Sequence, residues 1–217
     1  MRWWTADLHL GHANICAYTG RPYHSPDEMG IDLIERWNSR VGDADEVYVL
    51  GDLAMGHISE TLPLAELLNG YKVLVPGNHD RCWDGLRRKK KDSVDRWRAE
   101  YEAAGFSIRP APVAVTVAGR SVLADHFPYH GDSGHKERYL EYRPRDCGQW
   151  LLHGHVHQQW RQSDRMINVG VDAWGGYPVA EADLVDLILG GPAERAPIPW
   201  GALTSDGEGR LDPREQH

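Results

Sequence analysis

Five short apolar runs of this chain each end at a cluster of polar side chains, and this arrangement restricts the fold more than any other feature. Short apolar runs of this kind are consistent with buried strands. In α/β folds, binding sites form at the carboxyl ends of strands. We therefore predict an α/β fold in which five strand ends meet at one site. The polar clusters are residues 5–9 after the run 3–4, 51–52 after 47–50, 77–80 after 73–76, 125–126 after 122–124, and 154–157 after 150–153.

The segments between these clusters predict the remaining elements. Ser25 is a suitable N-cap for a helix, and Pro26 stands at its first position. The first half alternates strand and helix, whereas the second half is richer in strands. Two packed sheets with helices outside fit this order, and a single open sheet is the alternative. The predicted helices are 26–40, 59–68, 92–104 and 181–189, and the further predicted strands are 106–117, 121–124 and 166–169.

The length of 217 residues suits one domain. We expect this domain over residues 1–189. From Gly190 onward glycine, proline and charged residues dominate, so we expect residues 190–217 to form a mobile tail without a catalytic part.

The polar stretch 131–148 has no periodicity, and a loop of that length is usually either functional or disordered.

Composition excludes several classes of function. The formal net charge of −8 argues against a whole-surface preference for nucleic acid or anionic membranes. Three cysteines without a C-x-x-C pair indicate a reducing compartment, and we expect a cytoplasmic protein. The sequence shows no signal peptide, and no apolar run approaches the ~20 residues that a membrane span needs.

The polar clusters contain seven candidate metal ligands. Seven exceed the four of a tetrahedral structural zinc site, so two divalent ions that share a bridging group suit the set better. Carboxylate, amide and imidazole donors without thiolate indicate metals of borderline hardness. Manganese is the expected metal, and iron, zinc, nickel and magnesium are the alternatives. Asp52 is the expected bridge because it stands alone in its cluster. The candidates are Asp7, His9, Asp52, Asn78, His126, His155 and His157.

The spacing of the candidates suggests how they converge. Residues two apart in an extended chain point the same way, so Asp7 with His9, and His155 with His157, are expected to face one pocket. Glycines stand beside several candidates, where tight exits from strands favour a residue that tolerates any φ. They are Gly51, Gly77 and Gly154.

Such a pair of ions activates water and holds phosphate oxygens for in-line attack. The attacking group is then a metal-bound hydroxide, and the leaving oxygen needs a proton donor. His79 follows the candidate ligand Asn78 and is the expected donor. Asp80 is expected to orient the His79 ring and to favour its imidazolium form.

The ordered clusters resemble the calcineurin-like metallophosphoesterases, whose pattern is D-x-H, G-D, G-N-H-D/E, a lone His and G-H-x-H. Every motif of that pattern is present, in order, from Asp7 to His157. Leu53-Ala54 replaces the Asp-Arg pair that follows Gly-Asp in Ser/Thr protein phosphatases, which disfavours a phosphoprotein substrate. The segments 7–15 and 125–128 are most similar to small bacterial and phage-type members, which are often phosphodiesterases or broad-specificity phosphatases.

This resemblance implies a four-layer α/β/β/α sandwich of two mixed sheets with the metals at the sheet edge. It implies one ion held by Asp7, His9, Asp52 and His157. It implies a second ion held by Asp52, Asn78, His126 and His155. His79 takes the role of proton donor, and the substrate is a soluble phosphodiester or phosphomonoester.

Other polar residues have open interpretations. His12 and Asn14 are expected either to touch the substrate phosphate or to cap the next turn. The basic run 87–91 is expected to be a solvated surface, with contact to nucleic acid as the less favoured alternative.

Two further functions remain open: a nuclease on DNA or RNA, and a non-catalytic interaction module on the same fold. The sequence does not determine the oligomeric state.

Overall fold

A computed structural model describes residues 1–134 and 136–203, with the backbone alone for residues 87–90. The chain forms eleven strands and five α-helices within these residues. The strands are β1 (Arg2–Thr5), β2 (Glu46–Val49), β3 (Tyr71–Leu74), β4 (Phe106–Ile108), β5 (Val113–Val117), β6 (Arg120–Ala124), β7 (Trp150–His153), β8 (Gln162–Asp164), β9 (Met166–Asn168), β10 (Val179–Ala180) and β11 (Ala193–Arg195). The helices are α1 (Ile15–Thr19), α2 (Pro26–Asn38), α3 (Ile58–Thr61), α4 (Arg87–Ala103) and α5 (Glu181–Gly190).

The strands form two mixed sheets. The first has the order β10-β1-β2-β3-β4, in which β1 to β4 are parallel and β10 is antiparallel. The second has the order β11-β8-β9-β7-β6-β5, in which β6, β7 and β9 are mutually parallel along the centre. All five strands that precede the polar clusters therefore belong to parallel ladders, and their carboxyl ends lie at common sheet edges.

Two hydrophobic cores hold the layers together. One lies between the first sheet and helices α2 and α4, where Trp37 and Tyr101 are almost fully buried against strand residues such as Leu74. The other joins the two sheets, since Trp4 of the first packs in one cluster with Leu152 of the second. The predicted α/β fold of two mixed sheets with helices is confirmed.

Helix α2 begins and packs as the sequence predicts. The Ser25 hydroxyl accepts a hydrogen bond from the Glu28 backbone N–H at 3.1 Å, and Pro26 occupies the first turn. Met29, Leu33 and Trp37 form the buried face. The helix ends at Asn38, two residues earlier than predicted.

The other helix predictions need corrections at their boundaries. The segment predicted as one helix over 59–68 is the short α3 followed by a 3-10 helix, Leu62–Leu67. Pro63 lacks an N–H, so it cannot continue the α-helical hydrogen bonds through this point. Helix α4 starts at Arg87 rather than at residue 92 and includes the basic run 87–91.

The segment 106–117, predicted as one strand, is two strands in different sheets. β4 is an edge strand of the first sheet, and β5 is an edge strand of the second. Pro110 and Pro112 lie between them and have no N–H to offer a ladder. The chain therefore crosses from one sheet to the other at residues 109–112.

The tail prediction is wrong for residues 190–203. β11 pairs antiparallel with β8, and Ile198 is buried in the core between the sheets. Glycine and proline mark the turns on either side of β11 rather than a loss of structure. The remaining predicted tail, residues 204–217, lies outside the described residues. In the described part of the chain, no helix combines the length and apolar character needed to cross a membrane.

Candidate metal centre

The exits of β1, β2, β3, β6 and β7 bring the seven predicted ligands together. The central group is Asp52, which is 1% exposed. Its Oδ2 lies 3.7 Å from His9 Nε2 and 3.5 Å from His126 Nε2. One carboxylate oxygen thus stands between an imidazole contributed by β1 and an imidazole contributed by β6. This is the position that the sequence predicts for a bridging group.

The second side of the centre consists of His126, Asn78 and His155. His126 Nε2 lies 3.1 Å from Asn78 Oδ1 and 3.3 Å from His155 Nδ1. His126 Nδ1 lies 2.9 Å from the Leu50 carbonyl oxygen. Because a carbonyl only accepts, Nδ1 carries a proton, and in the neutral ring Nε2 therefore keeps a lone pair that faces the centre.

The first side consists of Asp7, His9 and His157, whose donor atoms all lie within 4.8 Å of one another. Asp7, Asp52 and His126 satisfy the same criterion. Asp7 therefore belongs to both groups. The sequence predicted Asp52 as the carboxylate shared by the two ions. The geometry places Asp7 close to donor atoms of both sides as well.

A buried ion-pair network fixes His157. Arg21 donates from Nε and Nη2 to the two carboxylate oxygens of Asp172, each at 2.8 Å. His157 Nδ1 lies 3.1 Å from Asp172 Oδ2. Burial opposes ionisation of Asp172, but Arg21 and His157 hold its pKa at about 2. An ionised carboxylate accepts the Nδ1 proton, so in the neutral ring His157 Nε2 keeps a lone pair that can bind a metal.

The same guanidinium also holds the β1 exit, since Arg21 donates to the carbonyl oxygens of Leu8 and Asp7 at 2.9 and 2.7 Å. Sequence reasoning missed both Arg21 and Asp172. One signal existed for Asp172, because it closely follows the predicted strand 166–169 as the other site residues follow theirs. Arg21 has no comparable local signal.

Backbone conformation, and not the alternation of side chains along a strand, directs most of the ligands towards the centre. Five of the seven have positive φ: 57° at Asp7, 52° at His9, 55° at Asp52, 70° at His155 and 52° at His157. This region is uncommon for residues other than glycine and concentrates at functional sites. The explanation of the D-x-H and H-x-H spacings by an extended chain is therefore wrong, although the side chains do converge.

The adjacent glycines make room for the ligands. Only Gly51 of the three has a positive φ, of 85°. A Cβ at Gly77 would lie 2.4 Å from Asp52 Oδ1 and 2.6 Å from His126 Nδ1. A Cβ at Gly154 would lie 2.7 Å from Asp7 Oδ2. Close approach of ligand side chains, more than conformational freedom, requires glycine at 77 and 154.

The electrostatics of the centre suit bound cations. Burial, the largest influence, raises the pKa of Asp7 to about 6, and neighbouring Asp52 adds to the rise. His9 Nε2 is buried and has no hydrogen-bond partner among the described residues. Two buried carboxylates, Asp7 and Asp52, lie among these imidazoles. Divalent cations would supply the missing positive charge.

The expected proton donor lies at the open edge of the centre. The His79 side chain is 41% exposed, and its Nε2 lies 4.0 Å from Asp52 Oδ2. Its backbone N–H donates to Asp52 Oδ1 at 2.9 Å. The ring is therefore tied to the centre through its backbone and remains accessible to a substrate.

Asp80 does not orient the His79 ring, so that prediction is wrong. Its carboxylate accepts from the backbone N–H groups of Asp52 and Gly77, each at 2.8 Å, and from that of Leu53 at 3.1 Å. The Tyr101 hydroxyl donates to it at 3.2 Å. Burial, with the nearby Asp52 charge, raises the pKa of Asp80 to about 6. Asp80 instead joins the exits of β2 and β3.

The two expected substrate contacts differ in position. The His12 ring centroid lies 5.3 Å from that of His9, and the ring is partly buried beside the first side of the centre. Asn14 is exposed at the start of α1, and its side chain makes no capping hydrogen bond there. The geometry places His12 near the site and gives Asn14 no contact with it.

Part of the loop 131–148 reaches the centre. Asp132 Oδ2 lies 3.3 Å from His155 Nε2. The same carboxylate pairs with Arg138 at 2.7 Å and with Arg143 at 3.6 Å. Among its described residues the loop contains one short 3-10 helix, Leu140–Tyr142, and this network attaches it to a predicted ligand. The sequence left this loop as either functional or disordered and did not single out Asp132.

With this geometry established, comparison with known proteins identifies the family. The model of the calcineurin-like phosphoesterase family matches residues 3–191. The chain therefore belongs to the calcineurin-like phosphoesterases.

Two similar proteins come from mycobacteriophages. The Gene 66 protein of Mycobacterium phage D29 is 38% identical over 181 residues, which cover 79% of this chain and 88% of the relative. The Gene 66 protein of Mycobacterium phage L5 is 33% identical over 195 residues, which cover 86% and 93%. The resemblance to small phage-type members is confirmed.

A solved structure shows a similar fold. It is the protein of unknown function AQ665 from Aquifex aeolicus, with a TM-score of 0.63 and 23% identity. The match covers 86% of this chain and 98% of that one.

Proposed function

We propose that this protein hydrolyses a soluble phosphate ester, either a diester or a monoester, with the help of two divalent cations. Membership of the family supports a phosphoester hydrolase that acts on small phosphate esters. One observation supports the two-cation site most directly: Asp52 Oδ2 lies within 3.7 Å of imidazole nitrogens from both sides of the centre. The proposed ligands of one ion are Asp7, His9, Asp52 and His157, and those of the other are Asp52, Asn78, His126 and His155.

The chemistry that two bound divalent cations supply is activation of a water molecule and neutralisation of charge on the phosphate oxygens. The side chains supply the remaining steps. His126 and His157 present Nε2 lone pairs because the Leu50 carbonyl and the Asp172 carboxylate fix their Nδ1 protons. His79, at the exposed edge, donates a proton from its ring to the leaving alcohol oxygen. His12 contacts the phosphate from the side of His9.

Removal and return of metal tests this proposal. Hydrolysis of nitrophenyl phosphate mono- and diesters is expected to stop after dialysis against a chelator and to return with Mn²⁺. Parallel assays with iron, zinc, nickel and magnesium identify the best metal. Activity that survives exhaustive chelation would contradict the role of the cations.

The two alternatives predict different results in the same preparation. A non-catalytic interaction module predicts sub-stoichiometric metal and no hydrolysis across a broad ester panel. A nuclease predicts binding to oligonucleotides that weakens steeply with salt, because phosphate contacts release counterions.

A further inference from the structure

Four aromatic residues form a cluster beside the second side of the metal centre. We call Trp83, Phe127, Tyr139 and Tyr142 the aromatic cluster. The Phe127 ring centroid lies 4.9 Å from that of His126 and 5.0 Å from that of His155. The Tyr139 ring lies 5.8 Å from the His155 ring. The cluster therefore adjoins two proposed ligands directly.

Trp83 is the centre of the cluster. Its ring lies 4.7 Å from Tyr142, 5.7 Å from Phe127 and 5.8 Å from Tyr139. A Cβ at Gly85 would lie 2.4 Å from the indole, so the ring rests closely on the backbone there. Phe127 is buried, whereas Trp83, Tyr139 and Tyr142 are each partly exposed. The indole is thus held in place and still presents surface to a ligand.

A cavity of about 170 Å³ opens beside the cluster. Trp83, Phe127 and Tyr142 line it together with Pro76 and Asp125. Asp125 immediately precedes the proposed ligand His126. Pockets for drug-sized ligands measure roughly 300–1,000 Å³, so this volume suits one flat ring system rather than a larger group.

Asp125, which lines the cavity, has one unpaired carboxylate oxygen. Asp125 is 1% exposed, and its Oδ1 accepts the Phe127 backbone N–H at 2.9 Å. Its Oδ2 is buried and has no hydrogen-bond partner among the residues that the structure describes. Native proteins rarely leave such a buried oxygen unpaired. An amino or ring N–H group in the cavity would satisfy it.

We propose that this cavity binds a flat heteroaromatic ring carried by the phosphate ester, as in a nucleoside phosphate. This inference rests on the proposed function, because the metal centre holds the phosphate of the same molecule. The Trp83 indole stacks on the ring, and Asp125 Oδ2 pairs with a polar hydrogen of the ring edge. Aromatic side chains favour such rings because every nucleobase offers a π-face.

Calorimetric titration of the Mn²⁺-loaded protein with two phosphonates tests the inference. An adenosine phosphonate and methylphosphonate both offer the anionic group, and their P–C bonds resist hydrolysis. The adenosine compound is expected to bind at least about tenfold more tightly, as stacking of one base on an aromatic side chain allows. Trp83→Ala is expected to remove most of this difference without weakening methylphosphonate binding.

Two further variants control the measurement. Trp83→Phe keeps a stacking ring and is expected to keep most of the preference. Tyr71→Ala removes a ring that is 71% exposed at the start of β3, the strand end opposite the site, and is expected to change neither affinity. Thermal melting reports whether each variant folds. If Trp83→Ala does not fold, Tyr142→Ala removes another wall of the cavity and is expected to lower the preference.

Equal affinity of the two phosphonates for the wild-type protein would overturn the inference. A loss of the same size for both ligands in Trp83→Ala would also overturn it. These results are distinct from failure of the proposed function, which would appear as the absence of hydrolysis of every ester with every metal. The binding comparison does not depend on turnover.

Discussion

At the scale of single residues, the site depends on side chains that direct other side chains. His126 and His157 each have one ring nitrogen committed to a fixed acceptor, so the other nitrogen faces the centre. Asp80 serves in a similar way for the backbone, because its oxygens hold the N–H groups of Asp52 and Gly77. The chemistry proposed for the site therefore depends on residues that do not touch the substrate.

Substitution of His79 tests the proposed proton donor. His79→Ala is expected to keep both metal ions and lose roughly 10²- to 10⁴-fold in kcat, the usual contribution of a positioned acid. The measurement is steady-state hydrolysis of a diester together with metal content by elemental analysis. His24→Ala, at an exposed position before α2, serves as the matched control and should leave kcat and metal content unchanged. Wild-type turnover in His79→Ala would remove His79 from the mechanism.

Substitution of Asp172 tests the network behind His157. Asp172→Asn is expected to weaken metal binding by about 10- to 100-fold, as loss of a carboxylate behind a ligating histidine does. It also leaves the buried Arg21 guanidinium without its partner, which costs about 3–5 kcal/mol of unfolding free energy. Metal titration and denaturant unfolding measure the two effects. Asp164→Asn, in an exposed pair with Arg165, is the control and should cost less than about 1 kcal/mol.

The depressed pKa of Asp172 gives this prediction a pH signature. The folded-state pKa is about 2, below the unfolded value, so the carboxylate stabilises the fold fully above the unfolded pKa of about 3.9. The contribution disappears as pH falls from that value through about 2. The stability difference between wild type and Asp172→Asn should therefore shrink over this interval in metal-free protein. A difference that stays constant from pH 7 to pH 2 would show that the carboxylate is not ionised in the folded state.

At the scale of elements, the strand exits determine the site. Each exit leaves regular structure within a few residues of its strand, and left-handed conformations turn five of the seven ligands inward. Gly77 lets the exits of β2, β3 and β6 approach one another, because a side chain there would meet both Asp52 and His126.

Gly77→Ala is therefore expected to abolish metal binding or to reduce it by at least about tenfold, since the new methyl group displaces a carboxylate and an imidazole. Gly30→Ala makes the same chemical change inside α2, where a Cβ meets nothing within 4 Å. That control should retain metal binding and gain up to about 1 kcal/mol of stability. Metal titration and thermal unfolding of both variants provide the measurements. Normal metal affinity in Gly77→Ala would contradict the geometry of the exits.

Sequence reasoning located these exits because apolar runs followed by polar residues are local signals. It predicted the start and the buried face of α2 correctly, from a cap and an apolar period. It missed the division of 106–117 between two sheets, because apolar periodicity cannot say which sheet a strand joins. It also missed the partnership of Arg21 and Asp172, since 151 positions separate the two. Asp80 was misread because adjacency to His79 in sequence says nothing about where its side chain points.

At the scale of the whole molecule, the site exists only because two sheets pack together. Asp7, Asp52 and Asn78 follow strands of the first sheet, while His126, His155 and His157 follow strands of the second. The core between the sheets therefore sets the distance between the two sets of donors. The position of β11 and Ile198 in this assembly shows that residues beyond 190 also support it. Composition alone made residues 190–203 look like part of a tail.

In the proposed site, donors from both sheets hold two cations around one carboxylate. The most direct measurement is a crystal structure of the Mn²⁺-soaked protein, with anomalous scattering used to locate the metal. Two manganese ions roughly 3.5–4 Å apart, both bound by Asp52, are expected. A single ion, or two ions at separate places without Asp52 between them, would contradict the proposed shared site.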